Sequence, residues 1–171
     1  MSLPEGYGVR AATPADAVSI AMQRGQMFVD MGHLTPAGAE RHQSLWTAWF
    51  RDALASGEYA GFLAEQGEDV VGGVGLMFFP KVPTLADPAT RKAHVLNMSV
   101  DSAHRRRGLA EVLMRAALAE AQARGLRSLT LNAAPMGRRL YERLGFTEAK
   151  APEMRLTLRS GQASSPVAEV L

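Results

Sequence analysis

The stretch His94-Val95-Leu96-Asn97-Met98-Ser99-Val100-Asp101-Ser102-Ala103-His104-Arg105-Arg106-Arg107-Gly108-Leu109-Ala110 decides the fold. Its first part, His94–Val100, is rich in apolar residues and reads as a central strand. Its second part is polar and basic and runs straight into Leu109–Arg124, where Leu109, Val112, Leu113, Ala116, Ala117 and Ala121 recur at i, i+3 and i+4. That spacing marks the apolar face of a helix, and Gly125 stops it. A helix N-terminus therefore meets the end of a buried strand. It offers unpaired backbone N–H groups and the positive end of the helix dipole. Gly108 and Ala110 are small enough to let an anion approach that backbone, and Arg105, Arg106 and Arg107 add charge beside it. A run of arginines by itself reads as a solvated surface patch. Placed at a helix start it becomes a means of holding a pyrophosphate without a metal.

Downstream, Ser128–Ala133 reads as a further strand and Pro135–Leu144 as a short helix ended by Gly145. Phe146–Glu148 and Glu153–Arg159 read as a final pair of strands, and the polar, Ala/Ser-rich segment 160–171 as a flexible tail. Upstream, Lys81–Arg91 is a loop broken by Pro83 and Pro88. Glu58–Glu65 and Val70–Phe79 form a hairpin about the turn Gln66-Gly67-Glu68-Asp69. Gly72-Gly73-Val74-Gly75 lies inside the second of these strands. It lacks the lysine of a phosphate-binding loop, so it marks a close backbone approach or a bulge. Val9–Ala12 is a first strand. Thr13-Pro14-Ala15-Asp16 then opens a helix carrying Val18, Ala21, Met22 and Phe28. Gly32-His33-Leu34 breaks it, and Thr35-Pro36 starts a second helix that bears Leu45, Trp46, Trp49, Phe50 and Leu54 and ends at Gly57. The order β-αα-ββ-β-α-β-α-β(β) predicts an α/β fold with a mixed sheet and helices on both faces.

Composition narrows the classes of function. The chain has 171 residues, 47% hydrophobic and 21% charged, the balance of an ordinary globular protein. Its formal charge is +2, too small to point to nucleic acid. No apolar run is long enough to span a bilayer, so no membrane partner is expected. Met1–Arg10 lacks a basic segment followed by an apolar core, so a signal peptide is not expected. The absence of cysteine excludes disulfides, thiolate metal sites and a cysteine nucleophile, and fits a cytoplasmic location. His33, His42, His94 and His104 show no metal-ligand spacing, so no metal is expected.

Arg105-x-x-Gly108-x-Ala110 matches the Q/R-x-x-G-x-G/A signature of the GNAT superfamily, the acyl-CoA-dependent N-acyltransferases. The pattern alone is short and weak. Its place between a strand and an amphipathic helix supplies specificity, as does Leu140-Tyr141-Glu142-Arg143-Leu144-Gly145-Phe146, which looks like the family's L-Y-E-x-x-G-F segment. The close resemblance covers Val95 to Phe146 and extends loosely, through the order of elements, to Val9. It implies a single GNAT domain over 1–159. Its central, mostly antiparallel sheet would have six to seven strands, with the fourth and fifth parallel and splayed apart. It also implies acetyl-CoA as cosubstrate and transfer of its acetyl group to a primary amine of a small molecule or peptide. A homodimer is common in the family.

The resemblance also assigns residues. Met98, Ser99 and Val100 would pair their backbone with the pantetheine arm, and an amide on that strand, such as that of Met98, would polarise the thioester carbonyl. Amides from Arg105 through Arg106, Arg107, Gly108 and Leu109 to Ala110 would hold the pyrophosphate. Tyr141 corresponds to the tyrosine that often protonates the departing thiolate. A phenol near its ordinary pKa of about 10 is protonated at neutral pH and can donate. The other reading of Tyr141 is a helix residue packed on the sheet. Many relatives carry Asn seven positions before this tyrosine and Ala four before it; here those positions are Ala134 and Gly137. Asn132, nearby, would contact the cosubstrate or cap the following loop. Arg138 and Arg139 read as CoA-phosphate ligands or as solvated arginines. For the general base, His94, Asp101, Glu65 and a water chain all stay open. Phe28, Met31, Gly32 and His33 fall where the family often covers the acceptor. A relative that holds acyl-CoA as a sensor without transferring anything is the alternative function.

Overall fold

The hairpin about Gly67 organises the sheet. β2 (Tyr59–Gln66) and β3 (Asp69–Pro80) pair antiparallel across it. Gly67 sits at φ +63, left-handed backbone that a tight turn needs and that glycine adopts without a Cβ clash. The structure, a computed structural model, describes residues 3–151 together with 153, 154, 156 and 157. It falls into two units, 1–134 and 135–171.

In the first unit β1 (Tyr7–Ala11) pairs antiparallel with β2, and β4 (Arg91–Val100) antiparallel with β3. β5 (Leu129–Leu131) runs parallel to β4, completing a five-stranded mixed sheet in the order β1-β2-β3-β4-β5. The mixed α/β sheet with its parallel pair is therefore present, with five strands among the described residues against the six to seven expected. β5 is also shorter than the Ser128–Ala133 expected.

Helices α1 (Ala17–Asp30) and α2 (Pro36–Ser56) connect β1 to β2, and α3 (Leu109–Ala123) connects β4 to β5. Pro14–Asp16 forms a 3-10 turn ahead of α1. The Asp16 carboxylate accepts from the Thr13 amide at 2.7 Å and from Arg10 at 2.8 and 2.7 Å, fixing the corner between β1 and α1. Thr35 Oγ1 accepts from the Gly38 amide at 3.1 Å to start α2, and Gly57, at φ +76, ends it.

Ile20 and Ala21 of α1, Phe50 and Ala53 of α2, and Tyr59 and Leu63 of β2 form one core, with Met77 and Leu96 packed against it. The neighbour of Met77, Phe78, meets Arg124 at the end of α3, at 4.1 Å from guanidinium carbon to ring centroid, so helices cover both faces of the sheet. Leu109, Leu113, Met114, Ala117 and Ala121 are the buried side of α3. On α1 the buried stripe is Ala17, Ile20, Ala21 and Gly25, whereas Val18 and Met22 face solvent. Small residues win that stripe because α2 crosses closely there: a Cβ on Gly25 would stand 3.1 Å from Ala39 Cβ. No helix among the described residues is long and apolar enough to cross a membrane.

The second unit holds α4 (Arg138–Arg143). The strand expected at Phe146–Glu148 does not form. The Phe146 amide instead donates to the Tyr141 carbonyl at 3.0 Å across Gly145, which lies at φ +91. That is the helix-closing arrangement in which a left-handed glycine lets the next amide satisfy an orphan helix carbonyl. Of the strand expected at Glu153–Arg159, residues 153, 154, 156 and 157 are not in a strand, and 155, 158 and 159 lie outside the described residues, as does the tail 160–171.

The glycine run of β3 is a close approach. The Tyr59 ring lies across Gly75, where a Cβ would collide with its hydroxyl. Gly75→Ala is expected to cost about 1–3 kcal/mol through overpacking and to lower the melting temperature by several degrees. Thermal denaturation checks this, and an unchanged melting temperature would mean that the ring does not cross β3 there.

Candidate active site

The site begins with an irregularity in β4. Gly73 pairs with Ser99 but Gly75 pairs with Leu96, so Val74 alone opposes Asn97 and Met98. Asn97 sits at φ +54, left-handed backbone that asparagine tolerates better than most residues. The result is a β-bulge, which bends a strand and re-aims its side chains. Leu96 packs into the α1–α2 core, and Asn97, only 6% exposed, reaches the same side. Arg24 Nη1 donates to Asn97 Oδ1 at 2.6 Å, and Asn97 Nδ2 donates to the Tyr59 hydroxyl at 3.4 Å. Burial pushes the Tyr59 phenol up to about 12, so it stays neutral.

β5 leaves β4 just before this bulge. The parallel ladder pairs Ala93 with Leu129, His94 with Thr130 and Val95 with Leu131, and ends there. Asn132 is exposed beyond the strand. From Leu96 to Val100 the edge of β4 turned away from β3 has no strand partner among the described residues, and Met98, Ser99 and Val100 lie along it, each half-buried. Ser99 Oγ is buried and meets no hydrogen-bond partner among the described residues. Such an edge presents N–H and C=O groups to an extended ligand.

The loop after β4 is pinned at both ends. The Asp101 amide donates to the Val71 carbonyl at 2.9 Å. The Arg105 guanidinium donates to the Val100 carbonyl at 2.8 Å and to Asp30, at the end of α1, at 2.5 Å. Arg106 at φ +62 and Gly108 at φ +83 are left-handed, and Gly108 caps α3. The consecutive amides from Arg106 to Ala110 donate to no acceptor among the described residues. Turns of this hand gather successive N–H groups into an anion-binding concavity, reinforced by the dipole of α3. The side chain of Arg105 braces the loop, while Arg106 and Arg107 extend into solvent. The expected strand residues Met98–Val100 and loop residues Arg105–Ala110 are thus brought together at one end of β4, with Asn132 following the end of β5.

The second unit holds Tyr141, 9% exposed, whose ring meets Phe146 edge-on at 6.0 Å. Burial raises its phenol above the ordinary tyrosine value, which keeps it protonated at neutral pH. Gly137 has a local reason here: a Cβ would stand 2.9 Å from the Tyr141 ring. Arg138 bonds to Glu142 at 2.8 Å and also to Glu148, so its charge is engaged within this unit.

The candidate bases differ in their engagement. Glu65 accepts from Arg10 at 2.7 Å. His94 Nδ1 meets Thr130 Oγ1 at 2.8 Å, bridging β4 and β5 at their paired end. Sequence reasoning passed over Arg24, Asn97 and Tyr59. The one available signal was Asn97, a polar residue inside an apolar strand opposite a glycine run. Cavities of the first unit lie at two places that bear on the site. One, of about 470 Å³, lies by Phe78, Arg91, Arg124 and Leu126, away from the open edge of β4. The other, of about 200 Å³, is lined by Arg24, Trp46, Trp49, Phe50, Met77 and Leu96 and adjoins the bulge.

The comparisons with known proteins agree with this geometry. The profile described as Acetyltransferase (GNAT) family matches residues 28–146. A GCN5-related N-acetyltransferase from Ralstonia eutropha JMP134 is 30% identical, with a TM-score of 0.79 over 88% of this chain and 99% of its own. A predicted acetyltransferase from Clostridium acetobutylicum, crystallised with acetyl-CoA, is 23% identical, with a TM-score of 0.79 over 87% of this chain and 96% of its own. An aminoglycoside acetyltransferase from an uncultured soil metagenomic sample is 21% identical, with a TM-score of 0.68 over 93% of this chain and 100% of its own. No curated protein gives a significant sequence match. With its open strand edge and its family profile in accord, the chain belongs to the acetyltransferase (GNAT) family.

Proposed function

We propose that this protein transfers the acetyl group of acetyl-CoA to a primary amine of a small molecule or peptide by direct attack. The observation that carries this reading is the adjacency of two stretches of backbone that lack strand or helix partners among the described residues. The open edge of β4 from Leu96 to Val100 runs directly into the unpaired amides from Arg106 to Ala110. One surface suits an amide-bearing arm and the other suits the diphosphate at its end. Pantetheine would lie along Met98, Ser99 and Val100. The pyrophosphate would sit on the amides from Arg106 through Arg107, Gly108 and Leu109 to Ala110, with Arg105, whose own amide donates to the Ser102 carbonyl, bracing the loop and Asn132 toward the far wall. Arg106 and Arg107, exposed beside it, would add long-range attraction more than fixed contacts.

The thioester would then enter the gap where β5 leaves β4. The lone pair of a neutral amine attacks the carbonyl carbon, a C–N bond forms, and the C–S bond breaks with its electron pair leaving on sulfur. Tyr141 is the proposed general acid that gives a proton to this thiolate, and the nitrogen loses its own proton to water. The products are the N-acetyl amine and CoA. Burial of Tyr141 supports the role in one respect: it holds the phenol in its donating form beyond neutral pH.

Two substitutions test the assignment. Gly108→Glu places bulk and negative charge on the anion site. It is expected to weaken acetyl-CoA binding more than about 100-fold by calorimetry, because repulsion takes the place of charge-assisted hydrogen bonds. Retained affinity would put the diphosphate elsewhere. Tyr141→Phe is expected to lower kcat about 100-fold, the lower end for general acid catalysis, with the KM for acetyl-CoA unchanged. Because the phenol is raised, the alkaline limb of the wild-type pH–rate profile should fall above the ordinary tyrosine range and vanish in the variant. Equal turnover of the two proteins across the pH range would make Tyr141 structural.

A further inference from the structure

The cavity of about 200 Å³ beside the bulge combines one cation with aromatic walls. Arg24 is the charged member of a lining otherwise made of Trp46, Trp49, Phe50, Met77 and Leu96. Its guanidinium carbon lies 4.7 Å from the centre of the Phe28 ring and 5.6 Å from that of Trp46. Its Nη1 is held by the neutral carbonyl oxygen of Asn97. Its Nε and Nη2 have no acceptor, and it has no carboxylate partner, among the described residues. Burial works against this charge and lowers the pKa of the group, yet an arginine keeps its proton. A half-buried guanidinium facing a cavity without a counter-ion is costly unless an anion completes it. The two donors left over form part of the fork that binds a carboxylate in two-point fashion. Leu96, on the wall, is the first residue of β4 past its last partner on β5, so the cavity opens where the gap between those strands begins.

We infer that this cavity is the acceptor pocket and that the acceptor is a small amine bearing a carboxylate, held by Arg24, with an apolar or aromatic body laid against Trp46 and Trp49. This rests on the acetyl-transfer reading above. It excludes the polycationic acceptors of aminoglycoside-type enzymes, because Arg24 repels them and no acidic group lines the pocket among the described residues. The step is unchanged in its balance. The acceptor nitrogen bonds to the acetyl carbon, sulfur leaves with the C–S pair and takes a proton, and the N-acetyl carboxylate is released beside Arg24.

The test has a binding arm and a turnover arm. The chain has two tryptophans, and both line the cavity, so intrinsic fluorescence reports it. Phenylacetate, which has no amine, is expected to change that fluorescence at about 10–100-fold lower concentration than its neutral analogue phenylacetamide, the range for a charge-assisted bond. Arg24→Gln should abolish the difference, and Arg24→Lys, which keeps the charge, should retain part of it. In turnover, kcat/KM for phenylalanine relative to phenylalaninamide should fall about 10–100-fold in Arg24→Gln, chiefly through KM. Kanamycin should be a poor acceptor for the wild type. Equal binding of phenylacetate and phenylacetamide by the wild type overturns the proposal, and needs no variant that must fold. So does efficient acetylation of kanamycin. Selective binding of phenylacetate with no amine acetylated supports the pocket while overturning the transferase reading, so the two ideas fail separately.

Discussion

The bond from Arg24 to Asn97, with Tyr59 behind it, fixes the β-bulge on which the site depends. A left-handed asparagine in the middle of a strand is strained backbone, and it persists because its side chain is held from two directions. The guanidinium comes from α1 and the phenol from β2, reaching over the bare backbone of Gly75 on β3. Three elements distant in sequence thus converge on one residue of a fourth. The bulge turns β4 away from the line that β5 would follow, and the parallel ladder ends at Val95. Strand edges are usually paired or covered because they invite another chain. Here the edge lies beside a short parallel strand, and it leads to a loop whose amides from Arg106 to Ala110 meet no acceptor among the described residues.

That second surface works by backbone more than by charge. The arginines mark it in the sequence, but the side chain of Arg105 is engaged by Asp30 and by the Val100 carbonyl. Its job is to hold the loop against the end of α1, next to left-handed Arg106 and Gly108. Fixed N–H groups at a helix start need little reorganisation when an anion arrives, and this suits a diphosphate better than flexible solvated side chains do. The same contact ties α1 to the loop, so α1 serves both: Asp30 at its end braces the loop and Arg24 in its middle supports the bulge.

The α1–α2 pair also gives the cavity beside the bulge its character. Close crossing at Gly25 and Ala39 brings Trp46 beside Arg24, and the two rings near that guanidinium hold it flat where it is only half wet. A cation in this setting is orienting as well as attractive, because its free nitrogens point from a fixed plane.

The sequence by itself determined what most of the segments before residue 135 would be. Periodicity marked α2 and α3 and the hairpin of β2 and β3, turn chemistry placed Gly57, Gly67 and Gly125, and the run from Arg105 to Ala110 marked the start of α3. These are local properties, set by spacing and by single-residue backbone preference. The tertiary structure decided what depends on partners far along the chain. Phe146 reads as strand by composition, but its amide closes α4 and no ladder forms there. Val18 and Met22 read as a core face, but α2 crosses over the smaller residues of α1. Arg24 and Tyr59 carry no motif at all, and become parts of the site because the fold carries them 73 and 38 residues across to Asn97. Pairing over such distances is settled by packing, which no local pattern encodes.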